Sequence, residues 1–328
     1  MRKLASIQKI IALGPIEDAD SIEKATVLGW QLVVKKGDFN VGDLCVYCEI
    51  DSLLPERPGF EFLMPYKMRI KTIKLRGQIS QGICFPLSIL PPETEIKEDK
   101  DVTEILGIKK HEPPVPAHLS GIAKGKSPSF IPKTDEPRVQ IYQEVLNKYK
   151  GEKCFITEKL DGSSVTYYIK DGGFGVCSRN LELIETDENT LWKVAREQDI
   201  ENKLRSLNKN YAIQGELVGE GIQKNTLKLK GQTVYFFNFF DIDKYKYLDF
   251  HEFISVFQTL GLYTVPLIDK NFELTNDINE LVNISIGRSL INPDAWREGI
   301  VIRPLHEIFD NGRVSFKAVN PKYLLKHE

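Results

Sequence analysis

Residues 107–130, GIKKHEPPVPAHLSGIAKGKSPSF, hold four prolines and three glycines and show little hydrophobic periodicity. No regular element is expected to run through such a stretch. A chain of 328 residues interrupted there is expected to fold as two domains rather than around one core. The implied boundaries are 1–110 for a first domain, 111–130 for a linker and 131–328 for a second domain.

Before the break the chain reads as short strands: KATVLGWQLVVKK, DLCVYCEI, YKMRIKTIKLRG and GICFPL, separated by Gly, Asn, Asp and Pro turns. Short, closely spaced strands suggest a small barrel or sandwich. In the third of them Lys67, Arg69 and Lys71 alternate with Met68 and Ile70, and Lys74 and Arg76 follow without an intervening acid. Alternation gives such a strand one basic and one apolar face. The basic face is either solvated or the backbone-phosphate groove of an OB-type barrel, which makes Arg69 and Lys71 candidate nucleic-acid contacts. Cys45 and Cys48 form a CxxC inside a strand-like run with no second Cys or His pair nearby, so they read as structural thiols rather than zinc ligands.

After the break, VQIYQEVLNKYK has the spacing of an amphipathic helix, and another helical stretch falls near 188–207. Around them recur CFITEKL, SSVTYYIK, GGFGVCSR, YAIQGELVG, VYFFNFFDI, EGIVIRP and RVSFKAV, which predicts a mixed α+β domain with largely antiparallel sheets. Apolar residues make up 41% and charged residues 27% of the chain, and no run approaches the roughly 20 apolar residues of a membrane-spanning helix. No secretion signal is legible at the N-terminus. The five cysteines are an odd, sparse set, which suits reduced thiols, so a cytoplasmic protein that does not engage membranes is expected. The net charge of −2 decides nothing about nucleic acid, because local basic fields act independently of it.

The stretch TEKLDGSS, 157–164, places Lys159 beside Glu158 and two residues before Asp161. An exposed lysine is protonated at neutral pH and is a poor nucleophile. Buried at a strand end, beside cations or a metal ion, its neutral form becomes accessible and can attack phosphorus. Asp-Gly alone also makes an ordinary turn. Further charged residues stand at strand-like positions, however: Glu216 in IQGELVG, Glu298 in REGIVIR and Lys317 in VSFKAV. A lysine attacking a nucleotide phosphate needs carboxylates to hold Mg²⁺ and cations to neutralise the developing charge, and this set supplies both.

The order KLDG (159–162), SRN (178–180), GELVG (215–219), VYFFNFFDI (234–242), REGIVIR (297–303) and FKAV (316–319) resembles the motifs of the covalent nucleotidyltransferase superfamily of ligases and capping enzymes. KTDEPRVQ (133–140) upstream, the OB-like module at the N-terminus and the short tail after FKAV resemble the ATP-dependent RNA ligases that carry their OB domain first. The resemblance implies an α+β fold. An N-terminal OB-like β-barrel would be joined to an adenylyltransferase domain of ATP-grasp-like antiparallel sheets with helices.

It also implies ATP as cofactor, Mg²⁺ or Mn²⁺ as metal, and three steps through lysyl-AMP and a 5′-adenylylated end to a sealed 3′-OH/5′-phosphate junction. The substrate implied is RNA, or an RNA/DNA duplex, with a nick or break, acted on by a monomer. Lys159 is then the nucleophile. Asp161 and Glu298 orient a hydrated metal ion, which helps to depress the lysine's pKa, Glu216 contributes to the metal or the ribose, and Lys317 neutralises the α-phosphate. Arg138, 21 residues before Lys159, contacts phosphate or pairs with Asp135 or Glu136. Arg179 reaches nucleotide or nucleic-acid phosphate and Ser164 faces the ribose. Gly162 lets phosphate and backbone approach closely, and Glu158 supports the site or contacts adenine. Four residues back from Asp241, Phe237 stacks on adenine, with Phe236 as the alternative. Many relatives carry a second lysine where this chain has Val319, and Lys322 is the nearest replacement. The competing readings are a GTP-using capping-type enzyme and a non-catalytic OB-fold single-strand binder.

Overall fold

The computed structural model describes residues 3–111 and 123–327. By internal contacts the chain separates into two units. Residues up to 111 group with Gln140–Gln143 and with the segment from Pro321 onward; residues 123 to Val139 group with Glu144–Asn320. The boundaries thus differ from the expected 111–130 linker and 131–328 domain. Residues 112–122 of that linker lie outside the described residues, Ala123–Lys126 is already a strand of the second unit, and the last helix groups with the first.

The first unit contains β1 (Ala5–Ile16), β2 (Ala19–Val27), β3 (Trp30–Lys35), β4 (Leu44–Cys48), β5 (Ser52–Leu53), β6 (Thr72–Leu75), β7 (Gln78–Gln81), β8 (Ile83–Phe85) and β9 (Lys109–Lys110). Five of these form an antiparallel sheet in the order β3-β2-β1-β4-β8. The long strand β1 pairs with β4 through residues 5–9 and with β2 through residues 10–16, with a register shift between Ile10 and Ala12. One strand shared in this way, bent at an irregularity, curls the sheet into an OB-like half-barrel. Ile7, Ile10, Trp30, Leu32 and Tyr47 fill it, all fully buried. Cys45 and Cys48 are buried free thiols, and Cys45 Sγ lies 3.3 Å from Cys84 Sγ.

The expected basic strand over 66–77 is not continuous. Glu61–Tyr66 is a 3₁₀ helix, and Lys67 and Met68 follow with φ of 53° and 59°, a left-handed pair that no strand accommodates. Only Thr72–Leu75 is β. Arg69 donates to Asp51 Oδ1 at 2.7 Å, which fixes its place beside that carboxylate.

The second unit carries two sheets. The larger uses β10 (Ala123–Lys126), β12 (Ser163–Lys170), β13 (Gly173–Ser178), β14 (Leu181–Leu183), β15 (Tyr211–Gly219), β16 (Gln232–Asp241) and β17 (Lys246–Tyr247), in the order β10-β14-β13-β12-β15-β16-β17. The smaller uses β11 (Lys153–Lys159), β18 (Leu267–Glu273), β19 (Gly299–Pro304) and β20 (Phe316–Val319), in the order β18-β11-β19-β20. Among the described residues the helices are α1 (Gln143–Lys148), α2 (Thr190–Glu197), α3 (Ile200–Arg205), α4 (Phe250–Leu260), α5 (Ile278–Ser285) and α6 (Pro321–His327). Expected helix 139–150 shrinks to a 3₁₀ turn followed by α1. Asn189 and Asp277 cap α2 and α5, accepting from Leu191 N at 2.9 Å and Asn279 N at 2.8 Å. None of the helices is long and apolar enough to cross a membrane.

Alternation along β16 sorts its aromatic run between two packing layers. Val234, Phe236 and Phe239 enter a core with Tyr167, Trp192, Ile213 and Phe257, while Tyr235 and Phe237 turn to the other side, against Leu160, Val218 and Val265. A register shift between Gln214 and Gly215 leaves Phe237 as the extra residue opposite β15, a bulge that re-aims the side chain. Arg303, 2% exposed, holds this place. Its Nη1 donates to Phe237 O at 2.7 Å, its Nε to Ser315 Oγ at 3.0 Å and its Nη2 to Glu136 Oε1 at 2.8 Å. Burial alone would raise the Glu136 pKa, but Arg303 and Arg313 outweigh it and hold the carboxyl below its ordinary value.

Removing one partner of a buried pair leaves the other charge uncompensated, at a cost of about 3–5 kcal/mol. Arg303→Met is therefore expected to lower the free energy of unfolding of the second unit in urea by an amount in that range, and Glu136→Gln added to it should restore a large part. Unchanged unfolding in Arg303→Met would show that the pair carries no structural role.

Candidate active site

The KLDGSS stretch joins the two sheets of the second unit. Lys159 is the last residue of β11, pairing with Gly299 of β19, and Ser163 opens β12, pairing with Leu217 of β15. The connection is tight. A Cβ on Gly162 would lie 2.2 Å from Leu217 O, so only glycine lets the turn pass the β15 backbone.

Around Lys159 the two sheets bring together charges from distant parts of the chain. Lys159 Nζ, on a side chain one-quarter exposed, donates to Glu298 Oε2 at 2.6 Å. Glu216 stands opposite Ser164 on β15 and, like Asp161, is close enough to act on the lysine electrostatically. Burial alone would lower the Lys159 pKa, but Glu298, Glu216 and Asp161 outweigh it and hold the ammonium above the ordinary lysine value. The expected depression of this lysine is therefore absent from the ligand-free site. Burial pushes Glu216 up to about 8, helped by Glu298 and Asp161 against the pull of Lys159 and Arg179. Burial, then Asp161, likewise raises Glu298 against Lys159 and Lys317. The glutamates move upward first by burial and then by the excess of carboxylate over nearby ammonium, and that same excess holds the lysine up.

That excess is what a divalent cation would neutralise, so the donor set fits one electrostatically. It does not fit a bare ion coordinated directly by the expected triad. Among the described residues no three carboxylate, imidazole or thiol side chains converge at metal-ligand spacing. Asp161, Glu216 and Glu298 surround an ammonium instead, an arrangement suited to a hydrated ion held through its waters.

Lys317 reaches the same cluster from β20. It pairs with Val301, and its amide donates to Pro137 O at 2.8 Å, which lays residues 137–138 along the β20 edge with Arg138 bridged to Lys317. Burial, then the charges of Lys159 and Arg138, lowers the Lys317 pKa to about 7 against the pull of Glu298 and Glu136. Asp135 and Glu136, considered as partners of Arg138, are engaged with others: Asp135 binds half-exposed Arg179 and Glu136 binds Arg303. Ser164 Oγ lies 3.1 Å from Thr134 Oγ1, and both line a cleft that also includes Lys133 and Arg179.

Glu158 faces away from Lys159, as strand alternation requires. It is 1% exposed, its Oε2 accepts from Leu290 N at 2.7 Å, and its Oε1 is buried without a hydrogen bond. Burial raises its pKa against Ser289, Leu290 and Arg297, and its charge is felt by Tyr235. Phe237 is partly buried beside Leu160, whereas Phe236 is fully buried in the opposite core. Sequence reasoning missed Thr134, Tyr235 and the Ser289–Leu290 backbone. Tyr235 was findable, sharing the period-two face of Phe237. Val319 is 5% exposed and pairs with Gly299, while Lys322 lies on α6 and groups with the first unit.

A family profile described as RNA ligase matches residues 152–319, and one described as an OB-fold domain matches residues 4–87. Structures of an RNA ligase from Naegleria gruberi superpose over nearly the whole chain. A variant form with AMP and Mn gives a TM-score of 0.92 at 42% identity, covering 99% of each chain. A variant with ATP and Mn gives the same values. A form with PPi gives 0.90 at 42% identity, covering 100% of this chain and 99% of that one. No curated protein matches by sequence.

The depressed Lys317 pKa has a consequence for stability. Between about 7 and the unfolded value of about 10.4 the unfolded chain binds more protons, so stability rises with pH across this window. Lys317 thus destabilises the ligand-free protein fully below pH 7 and progressively less above it. Lys317→Met is expected to stabilise the ligand-free protein by about 1 kcal/mol at pH 6.5, with the gain fading towards pH 10. Melting curves at both pH values test this; a loss at pH 6.5, or a gain that grows with pH, contradicts it.

Proposed function

The chain belongs to the RNA ligase family, and on that premise we propose that Lys159 is the nucleophile of an ATP-dependent RNA ligase that passes AMP through this lysine. The observation that carries the reading is the Lys159–Glu298 contact at 2.6 Å inside a set of mutually perturbed acids and bases. Such clusters concentrate at catalytic centres.

In the first step Lys159 Nζ gives its proton to Glu298, which already accepts a hydrogen bond from it and is made more basic by burial. The freed amine attacks the α-phosphorus of ATP; an N–P bond forms, the P–O bond to pyrophosphate breaks, and lysyl-AMP results. A divalent cation, bound as Mn in the relatives, supplies charge neutralisation when held through its waters by Asp161, Glu216 and Glu298. Lys317, whose pKa burial lowers to about 7, takes up a proton as phosphate approaches. Its charge then adds to that of Arg138 against the developing negative charge.

In the second step an RNA 5′-phosphate oxygen attacks the same phosphorus and Lys159 leaves, recovering a proton. In the third a 3′-OH attacks the activated 5′-phosphate, and AMP departs. Phe237 stacks on adenine and the open Oε1 of Glu158 accepts from its exocyclic amine, while Ser164 faces the ribose. Arg179 contacts a substrate phosphate, and Arg69, Lys71 and Lys322 are further substrate contacts. The substrate class is a nick or break in a duplex with RNA on the 3′-OH side, sealed by a monomer in the cytoplasm.

Two assays test the reading. Transfer of label from α-labelled ATP to protein should vanish in Lys159→Ala and slow about 100-fold in Glu298→Gln, the scale of losing a positioned general base; full labelling of Lys159→Ala would rule the nucleophile out. On four matched nicks with RNA or DNA on each side, sealing should require RNA at the 3′-OH, and equal sealing of all four would remove the substrate assignment.

A further inference from the structure

Three short segments of the first unit lie side by side, apart from its five-stranded sheet. Leu53 pairs with Lys109 through β5 and β9 and bridges Arg69 on its other side, which sets Arg69 and Lys109 on one face with Leu53 between them. One step further along, His111 N donates to Asp51 O at 2.8 Å and Asp51 N to Ile70 O at 2.9 Å. Arg69 Nη2 bonds Asp51 Oδ1 at 2.7 Å, with both side chains about one-fifth exposed.

His111 reports how closely the charges gather. Its pKa is lowered first by burial, then by Arg69 and Lys71, against the pull of Asp51. Arg69, Lys71 and Asp51 thus lie close enough to His111 to act on it, Lys109 shares the face of Arg69, and Asp51 is already bonded to Arg69. Lys109 is exposed, and Lys71 and His111 are partly so. The opposite face is fixed by burial of Ser52, Leu54, Met68 and Ile70, so these cations cannot spread apart as they would on a mobile loop. Like charges held this close repel one another, and an anion bound among them would relieve that repulsion.

We infer that this face of the first unit is a phosphate-binding site. Lys71, Lys109 and His111 contact phosphate oxygens, and Asp51 positions Arg69 beside them. The inference rests on the RNA-ligase reading for the origin of the phosphate, which is either the backbone of the nucleic-acid strand or the pyrophosphate released from ATP. It changes the place of Arg69 and Lys71: they belong to a cluster assembled from three segments rather than to one basic strand.

The test uses the full chain and two variants, Lys71→Gln/Lys109→Gln and Asp51→Asn. Asn tolerates the φ of 69° at position 51, so the second variant removes the negative charge while keeping a backbone conformation that Asn readily adopts. Three quantities are read: the slope of log affinity for a nicked RNA duplex against log salt, inhibition of autoadenylylation by pyrophosphate, and the melting temperature. If the source is the strand, the double variant flattens the slope by about 1.5, the counterion release of two phosphate contacts, and leaves pyrophosphate inhibition intact. If the source is pyrophosphate, inhibition weakens several-fold and the slope is unchanged.

Asp51→Asn should bind the same anion at least as tightly as wild type at low salt, a direction that general damage to the fold does not produce. The inference is overturned if the double variant melts like wild type and changes neither quantity, or if Asp51→Asn weakens binding as much as the double variant. Failure of the underlying reading shows separately, as wild-type protein that takes no label from α-labelled ATP.

Discussion

The ion pair between Lys159 and Glu298 is the contact on which the rest of the second unit turns. It joins the end of β11 to the loop before β19, residues 139 apart in sequence, and the antiparallel pairing of Lys159 with Gly299 sets its register. The pair favours the ammonium form of the lysine. The carboxylates that would receive a hydrated cation are the same ones that hold this proton, and the lysine is the proposed nucleophile. Neutralising them is thus the natural way to release it.

Both sheets supply what the pair lacks. Glu216 comes from β15, at a level set by the Ser164–Glu216 pairing, and Lys317 comes from β20 with Arg138 bridged alongside. Close packing makes the meeting possible: Gly162 passes the β15 backbone where no side chain fits, and at Gly299 a Cβ would lie 2.3 Å from Ala318 O. Lys159, Glu216 and Lys317 reach the cluster from strands whose neighbouring residues are buried. The arrangement is therefore preorganised rather than assembled by binding. Its cost is visible in Lys317, whose buried amine lies beside two other cations.

Much of this was legible in the chain because strand alternation is local. The order of charged strand residues marked Lys159, Glu216, Glu298 and Lys317, and the count back from Asp241 pointed to Phe237, while the choice between it and Phe236 waited on the strand's register. What stayed hidden depends on partners far away in sequence. The selection of Arg179 by Asp135 and of Arg303 by Glu136 spans 44 and 167 residues. The broken strand at 66–77 failed for a different reason: alternation of burial persists from Met68 to Thr72, but two left-handed residues start it, and composition alone does not reveal them. The strand β1 was overlooked because its outward residues are partly apolar, which obscures the alternation.

On this reading Lys159 accepts AMP only once its carboxylate partners are neutralised by a divalent cation. Mass spectrometry of the intact protein after incubation with ATP, with and without Mn²⁺, followed by peptide mapping, tests this most directly. The account predicts one AMP adduct per chain, located on Lys159, formed with the cation and absent without it. An adduct on another residue, or equal adduct formation in the absence of a divalent cation, would contradict it.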